Sequence, residues 1–331
     1  MKGFARSTLA IGVSLAFAAN ANASEFADME PVTLRLAHVV NEQDGFHIAA
    51  TRFEELVEER TAGKVDIEIY PNASLGDERT LLEGMQIGTV DMGVITNGPV
   101  ANFVEEMAVF ELPFLFPSSE AAYQVLDGPI GQELLDRLSE VNLKGLAYAE
   151  RGFRNLTNSE RPVESPEDLD GLRIRVMENP VYTDTFRELG ANAIPMAWTE
   201  ALTAMQQGTI DGQENPVNVI HSFKLYETQD HMTLSRHTYA PAIFVMGMSV
   251  WSELPQAAQE VMAQAAQEAA EHERQVNAEM EAAQLDELRE AGMQIVEEPD
   301  LQAFQEAVAP VYDQYGAQFG DYLPRIREAL E

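Results

Sequence analysis

The chain has 331 residues, no cysteine, 21 Lys+Arg against 55 Asp+Glu, and a formal net charge of −34. At roughly 100–200 residues per domain, that length fits two lobes better than one small module, and a hydrophobic content of 45% allows a large core. The missing cysteine excludes a disulfide scaffold, a thiolate-held metal and a cysteine nucleophile, and the acidity argues against nucleic acid and anionic lipid as partners.

Residues 1–23 read as a removable export signal. Lys2 and Arg6 form a positive n-region, Leu9–Ala19 is an apolar run of 11 residues, and Ala21–Ala23 is a small-x-small cleavage site. The apolar run is short of the roughly 20 residues that a spanning helix needs. The expectation is an exported, periplasmic protein that is not itself membrane-embedded. Losing Lys2 and Arg6 makes the mature chain two units more negative.

The rest alternates strand-like and helix-like segments. Val32–Ala37 reads as a strand. Gly45 to about Glu59 reads as a helix with Phe53, Leu56 and Val57 at apolar spacing, and Gly63 stops it. Val65–Tyr70 alternates as a strand. Asp77 caps a helix through Met85, closed by Gly88, and Asp91–Thr96 is the third strand. Leu112–Pro117 is a proline-bounded apolar loop. A helical stretch over about Ser119–Glu140, broken at Gly128 and Pro129, leads to a strand at Gly145–Ala149. Leu172–Val176 is a strand, Val181–Leu189 a helix and Thr199–Gln207 another. This is an α/β pattern.

One internal echo stands out. Met85–Asp91 (MQIGTVD) returns as Met205–Asp211 (MQQGTID). Both copies end a helix on a glycine C-cap and begin a strand with Asp, which points to two lobes of similar construction. Ligands in such folds sit at strand ends and domain interfaces. From Gln256 to Ala291 there is neither Gly nor Pro. That permits one helix too long for a single lobe, either a brace across both or a dimer arm. Its apolar residues do not repeat strictly at a and d positions, which favours the brace.

No nucleophile elbow, zincin, P-loop or dinucleotide-binding motif is present. His231 and His237 share a strand face, but zinc there needs further ligands. Carboxylate pairs carry no signal among 55 acidic residues. The scarce cations say more: Arg151, Arg154, Arg161, Arg173 and Arg175 fall within 25 positions. Arg173 and Arg175 share one face of a strand. An arginine buried there needs an anion, either a carboxylate of the chain itself or that of a ligand held by the planar fork. Arg154 is expected in a loop after the strand ending near Ala149. Asp211–Pro216 (DGQENP) reads as a polar turn, in which Asn215 offers both a donor and an acceptor. Trp198, ahead of a helix, is either core or an apolar wall over a ligand.

These stretches resemble the solute-binding subunits of tripartite ATP-independent periplasmic (TRAP) transporters, in the dicarboxylate-binding DctP-like branch. The matching segments are Leu36–Val40 (LAHVV), Tyr70–Asp77 (YPNASLGD), Gly88–Asp91 (GTVD), Phe110–Phe116 (FELPFLF), Gly171–Val176 (GLRIRV), Ile194–Trp198 (IPMAW) and Asp211–Pro216, in family order. The resemblance implies a two-lobed Venus-flytrap fold with strands crossing between lobes, a long C-terminal helix over both, and no catalysis. It implies capture of a small organic acid for delivery to membrane permease subunits, without metal or cofactor. It implies that Arg175 salt-bridges the ligand carboxylate and that Arg154 supports it. It further implies that Asn215 hydrogen-bonds nearby, that Trp198 packs on the ligand, and that Glu78, Thr96 and His38 read its far end. Thr96 and Asn97 suit hydroxyl groups, so a sugar acid or hydroxy acid fits as well as a dicarboxylate. The lobes expected are 24–151 plus about 240–279, and 152–239 plus about 280–331. The rival readings are an exported enzyme acting on a small organic acid and a ligand-sensing partner of a receptor.

Overall fold

A computed structural model describes residues 26–331, so the export signal expected over 1–23 lies outside the described residues. Among these, no helix is long and apolar enough to cross a membrane. Nine strands form one sheet: β1 Val32–Ala37, β2 Val65–Tyr70, β3 Met92–Thr96, β4 Leu143–Asn158, β5 Arg173–Val176, β6 Asn192–Pro195, β7 Gly212–Asn215, β8 His231–Gly247 and β9 Gln294–Val296. The order is β2-β1-β3-β8-β4-β7-β5-β6, with β9 beside β8. The helices that position the site are α1 (Gly45–Arg60), α2 (Glu78–Ile87), α3 (Pro180–Glu188), α4 (Trp198–Gln206) and α5 (Gln256–Glu290).

Two parallel clusters, β2-β1-β3 and β7-β5-β6, flank the antiparallel pair β4–β8. The echoed heptapeptides build the same junction in each cluster. Gly88 and Gly208 take left-handed φ values of 78° and 65°, which glycine adopts without a Cβ penalty. The Asp that follows clamps an arginine on the neighbouring strand. Asp91 Oδ2 accepts from the Arg35 backbone N–H at 2.8 Å and from Nε at 2.9 Å. Asp211 Oδ2 accepts from the Arg173 backbone N–H at 2.8 Å and from Nε at 3.0 Å. The two halves are built alike, as the echo implies.

The central pair differs from the sequence reading. The strand expected at Gly145–Ala149 runs from Leu143 to Asn158, so Arg154 sits in a strand and not in a loop. The 17-residue β8 has no counterpart among the expected elements. Both strands are buried along most of their length, so neither shows the polar–apolar alternation of a one-sided strand. Asp211–Pro216, expected as a turn, contains the buried strand β7.

The β4–β8 ladder is irregular where the chain passes between halves. Its register shifts between Glu150 and Gly152, opposite Pro241 and Ala240. Gly152 has φ 101°, and Pro241 has no N–H to donate. The ladder also shifts between Gly145 and Ala147 and between Arg154 and Leu156, but only the shift at Glu150–Gly152 faces a proline, which makes it a local weak point.

Helix α5 spans 35 residues and braces both halves. Against the first half, Arg60 Nη2 reaches Glu268 Oε2 at 2.6 Å, and Arg274 Nη2 donates to the Tyr148 carbonyl at 2.7 Å. The wholly buried Glu273 accepts the Glu150 backbone N–H at 2.9 Å, beside the bulge. Against the second half, His221 Nε2 lies 2.7 Å from Glu287 Oε2.

Candidate ligand site

Arg175 lies mid-strand in β5, where burial leaves it 3% exposed. Its Nε and Nη2 both donate to the Met196 carbonyl, at 3.0 and 2.7 Å. That fixes one edge of the guanidinium and leaves the Nη1–Nη2 edge available. No carboxylate among the described residues comes within salt-bridge distance. Desolvation lowers its pKa to about 10. The Trp198 ring, 5.6 Å from the guanidinium carbon, forms an adjacent wall. A buried cation with no counter-ion is costly by several kcal/mol, and an incoming carboxylate removes that cost through two charge-assisted bonds.

Arg154 is different. Its Nε and Nη2 grip the two carboxylate oxygens of Glu214 on β7, Nη2–Oε1 at 2.7 Å, and Nη2 also donates to the Glu214 carbonyl at 2.6 Å. Burial works against both charges. Each partner more than offsets it, raising the arginine and holding the carboxyl below its usual range. His237 Nε2 is 3.2 Å from the same carboxylate, and the Tyr182 ring faces the guanidinium at 5.5 Å. The Tyr182 hydroxyl donates to Glu111 at 2.6 Å, and Asn97 Nδ2 donates to the other Glu111 oxygen at 2.6 Å. Desolvation pushes the Glu111 carboxyl up to about 7. This buried network runs from β7 to the end of β3.

The other expected residues sit as follows. Glu78 opens α2, half-buried, and its Oε1 accepts the Thr96 backbone N–H at 2.7 Å. Burial raises its pKa. Thr96, the buried last residue of β3, thus fixes Glu78 through its backbone. Asn215 closes β7, and its Nδ2 donates to Gln213. Trp198 opens α4, set edge-on to Phe223 at 5.1 Å, with a buried indole N–H that has no partner among the described residues. His38 Nε2 is 3.1 Å from His47 Nδ1. Desolvation, then the charges of His47 and Arg151, lower its pKa to about 3, so it is neutral.

Glu78, Arg175 and Trp198 meet around one small cavity of about 30 Å³, with Val39, Pro99, Asn102, Met177 and Glu178. Arg154, Asn215, Thr96 and His38 do not line it. A much larger cavity, about 870 Å³, lies between α5 and β4 and holds none of the expected site residues. Size does not decide between them. Both take groups from both halves, but the arginines lining the large one are paired with Asp44, Glu281 and Asp127, whereas Arg175 in the small one has no carboxylate within salt-bridge distance.

Besides the Tyr182–Glu111 bond, three asparagine amides join the halves beside this cavity or near it. Asn102 Nδ2 donates to the Glu178 carbonyl at 2.7 Å, Asn179 Nδ2 to the Gly98 carbonyl at 3.0 Å, and Asn41 Nδ2 to the Ser222 carbonyl at 3.0 Å. Gly98 allows the approach, since a Cβ there would stand 2.9 Å from Met177 Cε. Sequence reasoning missed Glu214, His237, Glu111, Asn102 and Asn179. Glu214 had a signal: an all-polar strand can be buried only among groups that satisfy it. Among the described residues no His/Asp/Glu cluster is placed to hold a metal, His231 and His237 included.

Residues 36–318 match the family model DctP, "Bacterial extracellular solute-binding protein, family 7". A solute-binding protein of Verminephrobacter eiseniae is 41% identical, over 85% of this chain and 84% of its own length. A TRAP periplasmic solute-binding protein from Polaromonas sp. JS666, bound to D-erythronate, superposes with TM-score 0.88 at 39% identity, covering 89% of this chain and 98% of that one. The sugar-acid-binding protein from Advenella mimigardefordensis, in complex with galactonate, superposes with TM-score 0.89 at 34% identity, covering 92% and 99%.

Proposed function

The chain belongs to family 7 of the bacterial extracellular solute-binding proteins and is a TRAP-type binder of small organic acids, not an enzyme, and from that premise we propose that Arg175 is the residue that captures the ligand carboxylate. The carrying observation is the bare guanidinium of Arg175, held by Met196 and facing a cavity built from both halves. In this reading Trp198 supplies the apolar wall and Glu78 the polar far end. Arg154, already paired with Glu214, supports the carboxylate from behind and positions β7, including Asn215. Thr96 acts by fixing Glu78, and His38 stays neutral at the border of the first half.

The lobes divide at the β4 bulge. Residues 24–151 with about 240–279 form one, and 152–239 with about 280–331 the other. The cavity is no larger than about 30 Å³, about one water's share of liquid volume. Entry of an acid of four or more carbons therefore requires the halves to part. The register shift at Glu150–Gly152 and Pro241 is the natural hinge, and ligand contacts to both lobes favour the closed form. Delivery from an exported, periplasmic protein to membrane permease subunits completes the role. The test is titration calorimetry over hydroxy acids, sugar acids and C4 dicarboxylates. Saturable one-to-one binding without any product supports the reading, and turnover of a bound acid overturns it.

A further inference from the structure

We infer that the cleft selects hydroxylated monocarboxylates over dicarboxylates, and that Glu78 enforces the choice. The inference rests on the organic-acid reading above and follows from a count of the charges around the cleft. Arg154 is cancelled by Glu214. Arg151, buried beneath the first half, gives Nη1 to Asp44 at 2.7 Å. Arg173 is taken by Asp211. Arg79, at the cavity rim, is exposed and turned to Glu83 at 3.0 Å. His38 is occupied by His47. Arg175 alone is left to hold an anion.

The far wall carries the opposite sign. Glu78, Asp77 and Glu178 line the same cavity as Arg175. Asp77 Oδ1 accepts the Thr80 backbone N–H at 2.8 Å as the cap of α2, which directs it along the helix. Glu78 Oε1 accepts the Thr96 backbone N–H. Its carboxylate lines the cavity as an acceptor for hydroxyl donors. Val39, Pro99, Met177 and Trp198 make apolar walls, and the neutral polar groups beside them are Thr199 and Asn102, whose amide is given to the Glu178 carbonyl.

A hydroxylated monoacid satisfies both ends: its carboxylate meets Arg175, and its hydroxyls donate to Glu78. A dicarboxylate brings a second negative charge to a wall with no free cation. Like charges brought close in a partly desolvated cleft repel, and that repulsion separates the two classes by several-fold in affinity.

The test is calorimetry on matched pairs that differ only in a terminal hydroxymethyl oxidised to carboxylate: D-erythronate with meso-tartrate, D-gluconate with D-glucarate, and D-galactonate with galactarate. In every pair that binds, wild type should prefer the monoacid by about tenfold or more. Glu78→Gln, with its melting curve recorded alongside, should shrink that preference, and Glu78→Asp should retain it. A diacid bound as tightly as its partner by wild type overturns the inference without touching the organic-acid reading. A Glu78→Gln ratio equal to wild type overturns the role of Glu78. Binding of none of the six acids, nor of any C4 acid, removes the organic-acid reading itself.

Discussion

The Arg154 guanidinium and the Glu214 carboxylate form a two-point pair in which neither side chain is more than 1% exposed. The pair ties β4 to β7 across the middle of the sheet. Removing one member leaves the other as an uncompensated buried charge, which costs about 3–5 kcal/mol. Arg154→Ala should therefore lower the urea midpoint sharply, whatever it does to ligand binding. An unchanged midpoint would mean that the pair does not hold the fold.

Arg175 should behave in the opposite way. Its charge is buried without a carboxylate partner, so Arg175→Ala removes an electrostatic penalty. The unliganded variant should melt at the wild-type temperature or above it, while affinity for the acid falls by about 100-fold or more. Arg175→Lys keeps the charge but loses the planar fork, and should bind only weakly. Calorimetry and thermal melting on the same samples check both halves of the expectation. Retained affinity in Arg175→Ala would refute the assignment.

Closure has its own handle. Asn102 is exposed, yet its amide bridges the cleft to the Glu178 carbonyl at 2.7 Å. Asn102→Ala loses one bond that exists only with the halves together. Such a bond is worth about 0.5–1.5 kcal/mol. Ligand release measured by stopped flow should accelerate about 2- to 10-fold, with association little changed and stability intact. A slower association with unaltered release would point to a role in the open form instead.

The pH dependence has a definite sign. Desolvation pushes the Glu111 carboxyl from 4.5 to about 7 in the native protein. Between those values the folded chain holds a proton that the unfolded chain has released, so stability falls as pH rises through this window, by at most about 3 kcal/mol. His38 works in reverse. Lowered from 6.5 to about 3, it is neutral when folded, and its contribution is lost as pH falls below 6.5. Melting temperatures of wild type and Glu111→Gln should converge near pH 4.5 and separate towards pH 8, with the variant the more stable at the alkaline end. A constant offset across the range would sink this reading.

A net charge of −34 repels an anionic ligand at long range. Capture therefore depends on the local Arg175 site. Stopped-flow association of the acid should speed up between about 20 and 200 mM salt, as screening weakens the repulsion. Slowing with salt would indicate a steering cation elsewhere.

Much of this was legible in the residues, and the limits have physical causes. The units around β1–β3 and strand β5 announce themselves by caps, glycine stops and strand alternation, whereas the four-residue β6 has no counterpart among the expected elements. The long helix reads as Gln256–Ala291 and forms over Gln256–Glu290, because nothing in it breaks a helix. Strands β4 and β8 escape because they are buried on both faces, and because Gly152 and Pro241 look like turn signals when they mark a bulge. Arg175 is visible as a scarce cation inside an apolar strand. The partner of Arg154 is not, because Glu214 lies 60 positions away, and only the sheet order brings the two together.

That sheet order also governs when the chain is able to fold. Strand β8 sits between β3 and β4, so neither half of the sheet is joined to the other until Gly247 is in place. A chain made or threaded from its N-terminus holds its first three strands and their helices without the strand that closes them. Such long-range pairing is slow. The binding-competent form therefore waits on a strand that ends at Gly247, far along the chain from the first strands it joins.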